Sequence, residues 1–371
     1  MPDAGSQGGA SSRANSPRVW LLTAYRAGDN TQVLALGEAL GWPFEQKRFV
    51  YVRWESLVNW PFSSTLAGVD LTRSSPLGSP WPDLVITAGR RNEPIARWIR
   101  RSADRRVRLV HVGRPWARPS RWDLIVTTPQ YRVPDAPNVL QNEAPLHRVT
   151  PERLAKEAAA WLPRFAALPR PLIAVLAGGN SGPYPFDARS GWRLGRRASA
   201  LARDLGGSLL VTTSARTLPE TVEALIAAID VPNYLYRWTP DAADNPYFGF
   251  LAAADRIVVT ADSVSMMAEA CATGRPVLLY DTGEGVTSMR GEGSHGAGSG
   301  WNLLDRNQRK AFIYHQTMRL GPRRLTRDIR IVQRRLVESG RVSWLGDELP
   351  KGAPPPLRDL EHAVARVRAL F

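Results

Sequence analysis

The residues best suited to chemistry stand where apolar runs give way to helical patterns. The run Ile257–Thr260 ends at Ala261-Asp262-Ser263-Val264-Ser265, and Glu269 follows within the next two turns. Hydroxyls and unpaired amides at such a helix start suit a diphosphate without a lysine or a metal. A carboxylate one turn deeper can accept hydrogen bonds from the two hydroxyls of a ribose. Gly274-Arg275-Pro276 then stops the helix. The plain alternative is a capped structural helix with an incidental glutamate.

Three further loops share this strand-to-helix setting. Gly178-Gly179-Asn180 permits close backbone approach, and Ser214 and Arg216 can meet phosphoryl oxygens. Gly28-Asp29-Asn30-Thr31-Gln32 follows the first apolar run; its residues can face an anion or a sugar hydroxyl, or serve as plain N-caps. Arg90 and Arg91 precede a helix whose positive end repels them, which points to an anion there or to solvated surface charge.

Other catalytic patterns are missing. There is no Walker loop, no full G-x-G-x-x-G, no G-x-S-x-G elbow and no H-E-x-x-H. No metal site is expected. His111 ends an apolar run and reads as a core or rim histidine. His295 sits in the glycine-rich stretch 283–300, which reads as a mobile loop or lid. Cys271, the single cysteine, excludes an internal disulfide framework and reads as a buried thiol.

These loops need rigid supports, and the pattern supplies them. Short β-branched runs at Val19–Ala24, Phe49–Val52, Leu84–Thr87, Arg108–Val112 and Leu124–Thr127 alternate with helical stretches. The same rhythm resumes at Leu172–Ala177, Leu209–Thr213, Tyr234–Tyr236, Ile257–Thr260 and Val277–Tyr280. Continuous apolar strands between amphipathic helices predict parallel sheets covered on both faces. The fold class is therefore α/β: two Rossmann-like doubly wound lobes with an interlobe cleft, ligands lying at strand carboxyl ends. Residues 1–17 read as a disordered tail, 18–150 as the first lobe, 151–350 as the second, and 351–371 as a helix packing across them. The rhythm breaks between 129 and 170, the expected crossover. Arg53–Gly68, with Trp54, Trp60 and Phe62, reads as a core-covering insertion or as a surface that touches a membrane or acceptor.

The net charge is +15, and lysine occurs only at 47, 156, 310 and 351. An arginine-favouring genome, a phosphate-bearing ligand and an anionic membrane surface all account for this. Nucleic acid fits least, because no RNP, zinc-finger or basic-zipper pattern accompanies the arginines. No apolar run reaches the roughly 18–20 residues that span a bilayer, and the N-terminus lacks a signal-peptide pattern. The expected location is the cytoplasm, at the inner face of the membrane in one reading.

Several motifs in one order resemble the ELM1 family, named for a plant mitochondrial-fission factor. They are Gly28-Asp29-Asn30-Thr31-Gln32, Ala88-Gly89-Arg90-Arg91, Gly178-Gly179-Asn180, Thr212-Thr213-Ser214, Asn245-Pro246-Tyr247, Thr260 to Met266, and Ala270 to Val277. The family resembles GT-B glycosyltransferases. That resemblance implies a nucleotide-diphosphate sugar on the second lobe and a glycan or lipid-linked acceptor on the first. Ser263, Ser265 and Arg216 would then stabilise the leaving diphosphate, Glu269 would hold the ribose, and Asp29 would activate the acceptor hydroxyl. Gly28, Asn30, Gln32, Arg90 and Arg91 would serve the acceptor or an anion, and no cofactor is implied. Two departures stand out: Ala215 where a second arginine is expected, and Thr128-Pro129-Gln130-Tyr131 where an acidic or histidine end is usual. A non-catalytic recruitment protein and a sugar-nucleotide epimerase are the other readings.

Overall fold

The computed structural model describes residues 16–23, 27–53, 64–182, 184–240, 242–290, 306–321, 326–349 and 356–371. The tail before residue 16, the Trp54–Phe62 segment and the glycine-rich stretch 291–300 with His295 lie outside the described residues. The chain divides into two compact units. One comprises the chain to Thr127, Val133–Asn142 and Arg358–Phe371; the other comprises Thr128–Arg132 and Glu143–Leu357.

The first unit holds β1 (Val19–Thr23), β2 (Phe44–Arg48), β3 (Leu84–Ala88), β4 (Arg108–Val112), β5 (Leu124–Thr127) and β6 (Val139–Gln141). They form one six-stranded sheet in the order β2-β1-β3-β4-β5-β6. Helices α1 (Ala27–Leu40) and α2 (Glu93–Ser102) connect its strands. The second unit holds α3 (Pro151–Trp161), β7 (Leu172–Leu176), α4 (Ala188–Asp204), β8 (Ser208–Thr212), α5 (Pro219–Ala227) and β9 (Asn233–Tyr236). It continues with α6 (Tyr247–Ala253), β10 (Arg256–Thr260), α7 (Val264–Cys271), β11 (Val277–Tyr280), α8 (Arg306–Leu320), α9 (Arg330–Glu338) and β12 (Val342–Trp344). Its sheet runs β12-β11-β10-β7-β8-β9. The last helix, α10 (Asp359–Arg368), belongs to the first unit, where Arg368 donates to the Leu40 carbonyl and Phe371 meets Trp42 edge-on.

The expected α/β class is observed, with parallel pairing in both sheets. The reason is visible in β7. Leu172, Ala174 and Leu176 enter one apolar cluster while Ile173 and Val175 enter another. A strand buried on both faces must be apolar throughout, so it reads as a continuous run. One expected strand moves: Phe49–Val52 is not a strand, and the edge strand is Phe44–Arg48 instead. An edge strand has one partner and a wet face, so polar residues serve there: Glu45, Gln46 and Arg48 are exposed. Lys47 is buried, paired with Glu45 at 2.5 Å and lying over the Trp20 ring.

Strand order fixes where ligands fit. Counted within its own unit, the second sheet has the order 3-2-1-4-5-6, whose reversal between β7 and β10 opens a crevice at the carboxyl ends. The first sheet reverses between β1 and β3. Among the described residues no helix is long and apolar enough to cross a membrane.

Candidate functional site

The register of the second sheet brings three loops together. Leu176 pairs with Thr212 on one side and with Val259 on the other. The chain therefore leaves β7, β8 and β10 abreast, at the reversal point. Gly178 donates its amide to the Thr260 hydroxyl at 2.8 Å, and Gly179 donates to Asp262 Oδ2 at 3.0 Å. Arg216, whose side chain is 42% exposed, pairs with the same Asp262 oxygen at 2.9 Å and donates to the Asn180 carbonyl at 3.2 Å. A fully buried carboxylate thus ties the glycine loop to the arginine loop. Burial raises the Asp262 carboxyl above its ordinary range, against the pull of Arg216, Thr260 and Gly179.

The glycines are required by space. A Cβ on Gly178 would stand 2.5 Å from Asp262 Oδ1 and 2.8 Å from Thr260 Oγ1, and one on Gly179 would overlap the Arg216 carbonyl. Ser214 donates to the Gly178 carbonyl at 2.8 Å, and Thr217 donates to the same oxygen. Asn180 turns its side-chain oxygen to the Phe186 amide at 2.7 Å. Ser214, expected from the sequence to meet phosphoryl oxygens, thus braces the loops here, as Thr217 and Asn180 do.

The start of α7 is arranged differently. Ser263 is its N-cap residue, makes no side-chain capping bond, and precedes Ser265 in the first turn. The first amides of a helix have no partner within it, so they remain available beside the Gly178-Gly179 loop. Glu269, one turn on, is 7% exposed and accepts the Tyr247 hydroxyl at 2.5 Å. Burial pushes its carboxyl up to about 7, against the pull of Tyr247, Arg153 and Arg148. Tyr247 begins α6, twenty-two positions away, and nothing in the local pattern around Glu269 announces it. Cys271 is half-buried on the same helix, its thiol pushed up to about 12 by burial.

This carboxyl makes a pH prediction. Its folded pKa lies above the unfolded value of 4.5, so its contribution to stability is complete below pH 4.5 and disappears as pH rises through about 7. Glu269→Gln keeps an acceptor for Tyr247 and removes the titration. Between pH 4.5 and about 8 the unmodified protein should lose about 3 kcal/mol that the variant does not. Thermal melts of both proteins across that range check this, and parallel curves would refute it.

In the first unit, Leu22 pairs with Thr87, and Thr87 with His111, so the chain leaves β1, β3 and β4 together. Gly28, Asp29 and Asn30 lie in the first turn of α1 rather than in a loop before it. Gln32 donates back to the Gly28 carbonyl at 3.3 Å. Gly89 has φ +75°, and a Cβ there would come within 3.1 Å of Asp29 Oδ2. The twin arginines separate onto two rings: Arg90 lies 5.0 Å over Trp116 and Arg91 5.3 Å over Tyr51.

Beneath them, Asn92 donates to the carbonyls of Leu22 and Ala88, and Tyr51 donates to its side-chain oxygen. Glu93 is buried and accepts the amides of Trp116 at 2.6 Å and Ala117 at 2.9 Å. Burial raises the Glu93 carboxyl to about 7 and drives His111 down to about 3, so His111 is a neutral core group.

With this geometry in view, the comparisons with known proteins are specific. The family described as mitochondrial fission ELM1 matches residues 27–296, most of both sheets included. The chain belongs to that family. The Arabidopsis thaliana mitochondrial fission protein ELM1 is 33% identical over 223 residues, 53% of this chain and 51% of the plant protein. The chain thus spans about half the length of that relative. An uncharacterized protein of Rickettsia prowazekii is 22% identical over 303 residues, covering 71% of this chain and 82% of its own. Among solved structures, the chain is similar to S. aureus MnaA in a co-structure with UDP, at 11% identity and TM-score 0.45, covering 95% and 96% of the two chains. It is also similar to Acinetobacter baumannii MurG, at 11% identity and TM-score 0.40, covering 95% and 100%.

Proposed function

We propose that this member of the ELM1 family is a glycosyltransferase that takes a nucleoside-diphosphate sugar on its second unit. The carrying observation is the junction at the β7/β10 reversal, where buried Asp262 ties the Gly179 amide and Arg216 beside the uncapped start of α7. Anions favour a helix start with free amides, and a glycine loop lets a diphosphate approach the backbone. In this reading the amides at Val264 and Ser265 and the hydroxyls of Ser263 and Ser265 meet the diphosphate. Arg216 adds charge, and Glu269 accepts ribose hydroxyls. Ser214 and Asn180 act through the loops they brace. Transfer breaks the bond between the anomeric carbon and the diphosphate and forms one to an acceptor oxygen. Asp29, on the first unit, is assigned the acceptor proton, and the nucleoside diphosphate leaves. The acceptor is a glycan or lipid-linked glycan of the cell envelope, with peripheral contact to anionic lipid suggested by the +15 charge.

A second reading is a recruitment protein that keeps the fold without turnover; the plant relative is named for mitochondrial fission. One experiment separates the two. Nucleoside diphosphates and their sugars are screened by thermal shift, and each stabilising sugar nucleotide is then followed for hydrolysis or transfer. A binder at a hundred times its Kd should stabilise by about 2.7 kcal/mol. Stabilisation with turnover supports the transferase, and stabilisation without turnover supports recruitment.

A further inference from the structure

We propose that Trp116, Arg90 and Asp29 form a subsite on the first unit for a pyranose ring carrying an anionic substituent. The inference rests on the reading that this unit takes the acceptor, and it names that acceptor's chemistry. Its geometry stands at the β1/β3 reversal, where a sheet of this order places a ligand. Asp29 follows β1, Gly89-Arg90 follows β3, and Trp116 follows β4. The positive φ of Gly89 lets the chain pass Asp29 closely, a Cβ there standing 3.1 Å from Asp29 Oδ2, so the carboxylate lies beside the residue that precedes Arg90.

Trp116 is 40% exposed although both neighbours, Pro115 and Ala117, are buried. Its position is held from below. Buried Glu93 grips the amides of Trp116 and Ala117 with separate oxygens, and Arg97 approaches the same carboxylate at 4.0 Å. A buried carboxylate on two successive amides fixes the loop backbone that carries the exposed indole. A large rigid apolar face with little conformational freedom suits the C–H face of a sugar ring.

Arg90 supplies the charge. Its guanidinium rests 5.0 Å over the indole, and among the described residues it forms no ion pair. Exposed Trp192 makes the contrast: Arg196 lies 5.9 Å over its ring but is tied to Asp230 at 3.1 Å. A guanidinium over an aromatic ring and outside any ion pair suits a carboxylate or phosphate on the sugar, which it can bind with two parallel hydrogen bonds.

The test uses the full chain labelled with 5-fluorotryptophan, the Trp116 fluorine resonance being assigned with Trp116→Phe. Oligogalacturonate is titrated, with maltotetraose as the neutral sugar and sodium sulfate as the plain anion. The expected result is a saturable shift of the Trp116 resonance with oligogalacturonate. The neutral sugar should bind at least tenfold more weakly, Arg90→Ala should weaken the response tenfold or more, and sulfate should have little effect. No shift, or an equal shift with sulfate, overturns the proposal. UDP affinity is measured on the same samples by calorimetry and should change less than twofold in both variants. A Trp116 response without UDP binding would fail the nucleotide reading and leave this subsite standing; UDP binding without a Trp116 response does the reverse.

Discussion

Gly179→Ala is expected to melt the second unit about 10 °C lower and to abolish binding of nucleoside diphosphates. The added methyl would overlap the Arg216 carbonyl and crowd the Arg216 Cβ at 2.6 Å. Flexible side chains can step aside from an overpacked site, but backbone moves only with its hydrogen bonds. Arg216 sits in a turn closed by the Thr217 amide on the Ser214 carbonyl at 3.0 Å, and Ser214 and Thr217 are both anchored to Gly178. Displacing Arg216 therefore pulls on the glycine loop itself. Overpacking costs about 1–3 kcal/mol, and a backbone obstacle places this case near the top of that range. At about 2–4 °C per kcal/mol for a unit of this size, the midpoint falls by about 10 °C. Calorimetric melting and a nucleotide titration check both halves. A variant that melts and binds as the parent would show that these two loops are not in contact.

Asp262→Ala has the next largest expected effect. It leaves the Gly179 amide without its acceptor and Arg216 without its acidic partner. A buried amide left unsatisfied costs about 1–3 kcal/mol, while Arg216, being 42% exposed, regains water. The expected loss is about 2 kcal/mol, with nucleotide affinity at least tenfold weaker because both loops lose their common anchor. A double-mutant cycle with Arg216→Ala isolates the pair. Coupling of about 1 kcal/mol is expected, and additive losses would mean that the pair contributes nothing.

The sequence revealed the parts of this site that local chemistry dictates. β7, β8, β10 and β11 are buried on both faces, so their apolar runs were legible. Asp262-Ser263 marked a strand giving way to a helix because residues that start helices are few. Roles were harder to read. Asp262 meets Gly179 across eighty-three positions, and Tyr247 meets Glu269 across twenty-two. Such pairings follow from strand order, which spacing does not encode. Ser214 and Asn180 have the right chemistry for phosphate, yet their side chains satisfy backbone groups of the loops around them. A polar side chain at a strand end has two possible employers, ligand and loop, and composition does not choose between them. The edge strand was misplaced for a related reason: Phe49 is buried, but the pairing residues Phe44–Arg48 are mostly polar. On the first unit, Glu93 beneath Trp116 left no local signature, since a buried glutamate and a surface one look alike in sequence.

In the proposed reading the β7/β10 reversal binds a nucleoside diphosphate with Glu269 on its ribose. Calorimetric titration of UDP, or of another diphosphate that stabilises the protein, into the parent and Glu269→Ala tests it most directly. One site per chain is expected in the parent and at least tenfold weaker binding in the variant, which still melts cooperatively. Equal affinity in the two proteins would contradict it.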